Sequence, residues 1–188
     1  LNVDLINIYV ECYCYNKFIE SDSLPKGSSV ETLKQLEDRL NIELAELFDT
    51  EPLTPVISIY DNKADLDRVW IDRGDGKYIE APDWLVGFAA HGGHVHILSP
   101  DVIPASHEHS GSVRFLKTLK HEMGHLYTSQ MNRHTPSWLS EGVSLFIAKR
   151  DHYEKSDLSK ITLALLDELA NSPIDARIYQ IGKTIVTR

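Results

Sequence analysis

The stretch KHEMGHLYTSQ, Lys120 to Gln130, carries His121 and His125 four residues apart, with Glu122 beside the first. On a helix, residues at this spacing stand one turn apart, roughly 6 Å along the axis, so two imidazoles can hold one ion between them. Glu122 projects about 100° to one side, where its carboxylate can reach a water on that ion without being a ligand. Gly124 projects to the other side and leaves room for a second chain segment. The chemistry this suggests is metal-assisted hydrolysis, and it requires a third ligand from elsewhere. The plainer alternative is a solvated helix face that happens to carry two histidines and a glutamate.

The residues just downstream weigh against that alternative. NRHTPSWLSEGVSLFIAKR contains a second helix start, with Thr135 as N-cap and Pro136 in the first helical position. The connection is short, so the two helices should pack antiparallel. Glu141 then lies in the early turns of the second helix, close in space to the end of the first. Gly142 beside it permits tight packing. A carboxylate delivered there completes a two-His, one-Glu zinc site with a fourth position open for water. His134 is the other candidate third ligand. It precedes the second helix in a short loop, where a solvated histidine is the ordinary expectation.

His-Glu-x-x-His followed by Trp138-Leu139-Ser140-Glu141-Gly142 resembles the gluzincin metallopeptidases, the thermolysin and aminopeptidase N relatives of the peptidase MA clan. The resemblance implies one zinc held by His121, His125 and Glu141, with Glu122 as general base on a zinc-activated water. It implies a zincin-like fold and a zinc metallopeptidase acting on peptide or protein substrates. Metzincins are excluded, because the places where they need Gly and His hold Thr128 and Met131. IYQIGKTIVTR near the C-terminus resembles the Tyr-x-x-Gly segment of the aminopeptidase N relatives, whose tyrosine bonds the oxyanion. That match proposes Tyr179 as a catalytic residue, with Tyr153 as second candidate and simple packing as the alternative. In HGGHVHILSP, gluzincins place a sheet-edge strand above the cleft, and such an edge can bind an extended peptide. The glutamate with which aminopeptidase N relatives hold a free amino terminus is missing there, so endopeptidase activity is the first expectation. His94 and His96 share one strand face and are candidates for substrate binding. The alternative function is a catalytically inactive, peptidase-like zinc protein that binds peptides without cutting them.

The elements that must position these groups can be read from periodicity. VDLINIYVECYCY alternates as a strand, and its Cys12 and Cys14 read as reduced core thiols. A helix begins at about Ser28, capped by Ser28 with Glu31, along a stripe of Leu33, Leu36, Leu40, Leu44 and Leu47. Pro55 to Tyr60 reads as a buried strand, DNKADLDRVW as a short helix capped by Asp61, RGDGKY as a turn, and Gly93 to Pro100 as another strand. The histidine helix runs from about Gly111 to Gln130. Its apolar seam of Leu116, Leu119, Met123 and Leu126 lies nearly opposite His121 and His125. Asp167 and Glu168 are candidates to accept hydrogen bonds from the outer nitrogens of those histidines. His107 to His109 reads as a polar loop rather than a second metal site.

This pattern is α+β: a small N-terminal mixed-sheet lobe (1–100) followed by a mainly helical zinc-binding lobe (101–188), together one catalytic domain. At 188 residues and 42% hydrophobic, the chain is long and apolar enough for one sizeable core. A net charge of -9 argues against nucleic acid or an anionic membrane as partner, and no apolar run suggests a membrane span. The first residue is Leu1, so a missing leader says little about localisation. Two reduced thiols fit the cytoplasm, with secretion left open. Nothing in the sequence fixes an oligomeric state.

Overall fold

The computed structural model describes residues 30–72, 80–103, 111–150, 156–170 and 175–187, apart from the side chains of 30–32 and 158. The strand expected over Cys12 and Cys14, the Ser28 cap, the 73–78 turn, His107 to His109 and Tyr153 lie outside the described residues. The elements are α1 (Val30–Leu47), β1 (Val56–Tyr60), α2 (Lys63–Asp72), β2 (Gly87–Ala90) and β3 (His94–Leu98). They continue with α3 (Gly111–Met131), α4 (Ser137–Ile147), a 3-10 turn (Leu158–Lys160), α5 (Leu163–Leu169) and α6 (Arg177–Val186). The described chain is therefore α+β and mostly helical, with one small mixed sheet. None of its helices is long and apolar enough to cross a membrane.

The sheet order is β1-β3-β2, with β1 parallel and β2 antiparallel to β3. This changes two expectations. The histidine-bearing strand β3 is central, so its backbone is not open to an added peptide strand. β1, expected to be buried, is an edge among the described strands, with Val56 49% and Ile59 39% exposed. The antiparallel edge is β2, whose four residues, Gly-Phe-Ala-Ala, carry no clear alternating signal.

Alternation along β3 assigns its faces. Val95 and Ile97 are fully buried. Ile97 pairs with Gly87, where a Cβ would lie 3.0 Å from Thr118 Cγ2 of α3, so this face meets the histidine helix. His96 pairs with Phe88, and Phe88 packs edge-on against Trp70 of α2 at 5.1 Å. That face belongs to α2. Asn62, rather than the expected Asp61, caps α2: its Oδ1 accepts from the Asp65 N–H at 2.9 Å.

α3 is buried on more than its apolar seam because the sheet covers one side and α4 another. Phe115, Met123 and Tyr127 are among its enclosed side chains, each contributing about 1.5–3 kcal/mol of hydrophobic stabilisation. Tyr127 also ties α3 to α1, its hydroxyl donating to the Asn41 carbonyl at 2.8 Å. The main core joins α1, α2, the sheet, α3 and part of α4. A second cluster of Trp138, Leu169, Ile178 and Ile181 holds α5 and α6 against α4.

Candidate metal centre

α3 and α4 run antiparallel, as the short connection requires. The contacts step from Thr128–Ser140 through Gly124–Ser144 to Thr118–Arg150. The start of α4 differs slightly from expectation. Pro136 occupies the cap position, and Thr135 Oγ1 instead donates to the Asn132 carbonyl at 2.7 Å. Gly124 sets the spacing between the helices: a Cβ there would lie 3.0 Å from Ser144 Oγ and 3.3 Å from Ser144 Cα.

This approach brings His121, His125 and Glu141 together. His121 Nε2 lies 3.1 Å from Glu141 Oε2, His125 Nε2 lies 3.4 Å from Glu141 Oε1, and the two Nε2 atoms are 3.1 Å apart. The three residues can hold a metal ion, since one donor atom from each lies within 4.8 Å of the others. Glu141 Oε2 is buried and 3.1 Å from His121 Nε2 yet has no hydrogen-bond partner among the described residues. A buried carboxylate oxygen left without a hydrogen bond beside two imidazole nitrogens is a place that a cation can fill. The donor set fits such an ion: two borderline nitrogens and one hard oxygen. His121 is buried, whereas the side chains of His125 and Glu141 are 18% and 13% exposed, so the group meets solvent on their side.

The electrostatics reflect this enclosure. Burial lowers the His121 pKa despite the nearby Glu141 carboxylate, so this imidazole is neutral at pH 7. Burial acts the same way on His125, but the charge and contact of Glu141 outweigh it and raise His125 to about 9. Burial alone would raise Glu141. The charge of His125 and contacts from both imidazoles instead hold its carboxyl well below the usual carboxylate range. Without metal, a proton on His125 therefore occupies the point where the three side chains converge.

Glu122 is only 7% exposed, and its charge acts on both imidazoles, raising the pKa of each. His134, the other candidate third ligand, is exposed, with its backbone N–H on Asn132 Oδ1 at 2.9 Å. Tyr179 is half-buried on α6, packed against the cluster around Trp138 and one turn before Gly182, where α6 crosses α4. His94 and His96 are not brought to the triad. Both lie on the α2 face of the sheet, opposite α3, because every second residue of a strand faces the same way. There they line a groove of about 320 Å³ with Val69, Asp72, Phe88 and His91. His96 Nδ1 is 2.8 Å from the Tyr60 hydroxyl, and its ring stacks on Phe88 at 4.8 Å.

The hydrogen-bond partner of His125 is one that sequence reasoning missed. Its Nδ1 is 2.8 Å from Ser140 Oγ, which lies 3.2 Å from Thr128 Oγ1. Asp167 and Glu168 do not serve: both are exposed, and Glu168 pairs with Arg177 at 2.6 Å. The signal was in the spacing, since Thr128 comes one helical turn after His125 and Ser140 immediately precedes Glu141. Arg150 was also missed; it donates to Thr118 Oγ1 at 2.6 Å, and its charge lowers the pKa of both imidazoles. In comparisons with known proteins, no family model, no curated protein and no solved structure matches the chain.

Proposed function

We propose that the chain is a zinc-dependent metallopeptidase of gluzincin type, with a zincin-like fold and peptide or protein substrates. The observation that carries this reading is a buried carboxylate, Glu122, beside a converging His-His-Glu group that reaches solvent on one side. A purely structural site needs neither that carboxylate nor an open side. Zinc held by His121, His125 and Glu141 supplies Lewis acidity, lowering the pKa of a water and polarising a carbonyl.

The chain's own residues do the rest. Glu122 accepts the proton of the attacking water on its carboxylate and returns it to the leaving amine. Glu141 balances positive charge at the centre and fixes the ligand geometry. β2, an open edge among the described strands, lies against α3 at Thr118, one turn before His121, and offers backbone groups to an extended substrate. Tyr179 is proposed, on the Tyr-x-x-Gly resemblance, to donate its hydroxyl to the developing oxyanion. Endopeptidase action is the preferred mode, and neither nucleic acid nor a membrane is a proposed partner.

The test is cleavage of a mixed peptide pool by zinc-loaded protein, followed by mass spectrometry. Internal cleavage that stops when zinc is chelated and returns when it is restored supports the reading. A zinc-loaded protein that binds peptides from the pool and cuts none would replace it with the non-catalytic alternative.

A further inference from the structure

We infer that Ser140 and Thr128 form a hydrogen-bond relay that fixes the ring orientation of His125 before a metal arrives and makes Nε2 the nitrogen that is bare in the neutral ring. Both are then positioning residues of the centre. This rests on the reading of His125 as a metal ligand.

The direction of the relay is set by its far end. Thr128 Oγ1 lies 3.0 Å from the carbonyl oxygens of both Gly124 and His125. A carbonyl only accepts, so the Thr128 hydroxyl must donate there. Toward Ser140, at 3.2 Å, Thr128 Oγ1 is left as an acceptor, and the Ser140 hydroxyl must supply the hydrogen. Ser140 Oγ then offers only lone pairs to His125 Nδ1 at 2.8 Å, so Nδ1 carries the proton. In the neutral ring the other nitrogen, Nε2, is bare. That is the atom facing His121 Nε2 at 3.1 Å and Glu141 Oε1 at 3.4 Å.

The relay also joins the two helices that carry the ligands. Thr128 belongs to α3 and Ser140 to α4, next to Glu141. Thr128 is buried, so water competes poorly for its hydroxyl. His121 has no equivalent tether, since its buried Nδ1 makes no hydrogen bond among the described residues. Holding the outer nitrogen of a metal-binding histidine costs 10–100-fold in affinity when removed. A serine that only filled space would have no such effect.

The experiment titrates metal-stripped protein with Zn²⁺ against a competing chelator, for the wild-type chain, Ser140→Ala, Ser140→Thr and Thr128→Val. Ser140→Ala should weaken zinc by about 10–100-fold, with Ser140→Thr restoring most of it. Thr128→Val keeps the side-chain shape, removes the end of the relay, and should weaken zinc by a smaller factor. Long-range proton–nitrogen spectra of the zinc-loaded wild-type chain should show a protonated Nδ1 on His125. Wild-type binding that Ser140→Ala and Thr128→Val both leave unchanged overturns the relay alone, as does a His125 whose Nδ1 lacks its proton. A wild-type chain that binds no zinc overturns the metal reading and the relay with it. If Ser140→Ala fails to fold, Thr128→Val and Ser140→Thr decide the matter.

Discussion

Gly142 of α4 and Gly182 of α6 meet backbone to backbone. A Cβ on Gly142 would lie 2.4 Å from the Gly182 carbonyl oxygen, and one on Gly182 would lie 2.1 Å from the Trp138 carbonyl oxygen. Neither neighbour is a flexible side chain, so a methyl group can be accommodated only by moving a helix. Glu141 is the residue before this crossing. Gly182→Ala should therefore destabilise the protein by ~3 kcal/mol, the upper end of the range for overpacking, and should weaken zinc binding as well. Urea unfolding of the metal-free protein and a zinc titration measure the two effects. A variant equal to wild type in both would mean that the crossing does not hold the third ligand in place.

Glu122→Gln keeps the shape of a side chain that lies beside His121 and is not one of the three proposed ligands. Zinc should stay at one per chain, while turnover of a cleaved peptide falls by roughly two to four orders of magnitude, the scale of a lost general base. Metal analysis and initial rates on the same sample check this. Full turnover would remove Glu122 from the mechanism, and loss of zinc would make it a support of the site.

Metal binding should take one proton from the chain's own side chains at pH 7–8, besides any that the metal-bound water loses. His125 is raised to about 9, so it is protonated there and must lose a proton to become a ligand. His121 is lowered by burial and is already neutral; Glu141 is held well below the carboxylate range and is already ionised. Neither adds a proton. Near pH 7 the chain's own residues should thus contribute about a tenfold rise in apparent zinc affinity per pH unit, a contribution that ends above 9, once ionisation of the zinc-bound water and hydrolysis of zinc in solution are corrected for. Calorimetry in two buffers of different ionisation enthalpy counts the protons, and a count of zero at pH 7 contradicts the assignment.

The parts of this arrangement that depend on one helix or on a short connection were legible in the sequence. The seam of Leu116, Leu119, Met123 and Leu126 placed α3 to within a residue of its ends, and the brief link to Pro136 placed Glu141 beside the histidines. The parts that depend on how separate segments approach one another were not. β2 is four residues without a polar–apolar alternation, so neither it nor the central position of β3 could be read. Without that sheet order, the period-2 pattern put His94 and His96 on one face correctly but could not say that the face was the one away from α3. The cap on α2 fell to Asn62 rather than Asp61 because either side chain can cap and only the turn geometry decides. A charged acceptor was expected for the outer histidine nitrogens, yet the close approach at Gly124 puts the short Ser140 in that place for His125.

Tyr179→Phe removes a hydroxyl and keeps the ring that packs near Trp138, so the fold should be retained. If the hydroxyl bonds the oxyanion only in the transition state, kcat should fall about a hundredfold or more with little change in KM. Steady-state kinetics on one cleaved peptide separate the two constants. Unchanged kcat would leave Tyr179 as a packing residue of the α4–α6 contact.

The account stands or falls on whether His121, His125 and Glu141 hold one zinc together. Metal-stripped chain should be titrated with zinc beside Glu141→Ala, with bound metal counted after gel filtration. The expected result is one zinc per wild-type chain, with binding lost or severely weakened in Glu141→Ala. A wild-type chain that stays folded and takes up no zinc, or an Ala variant that binds it as tightly as wild type, contradicts the account.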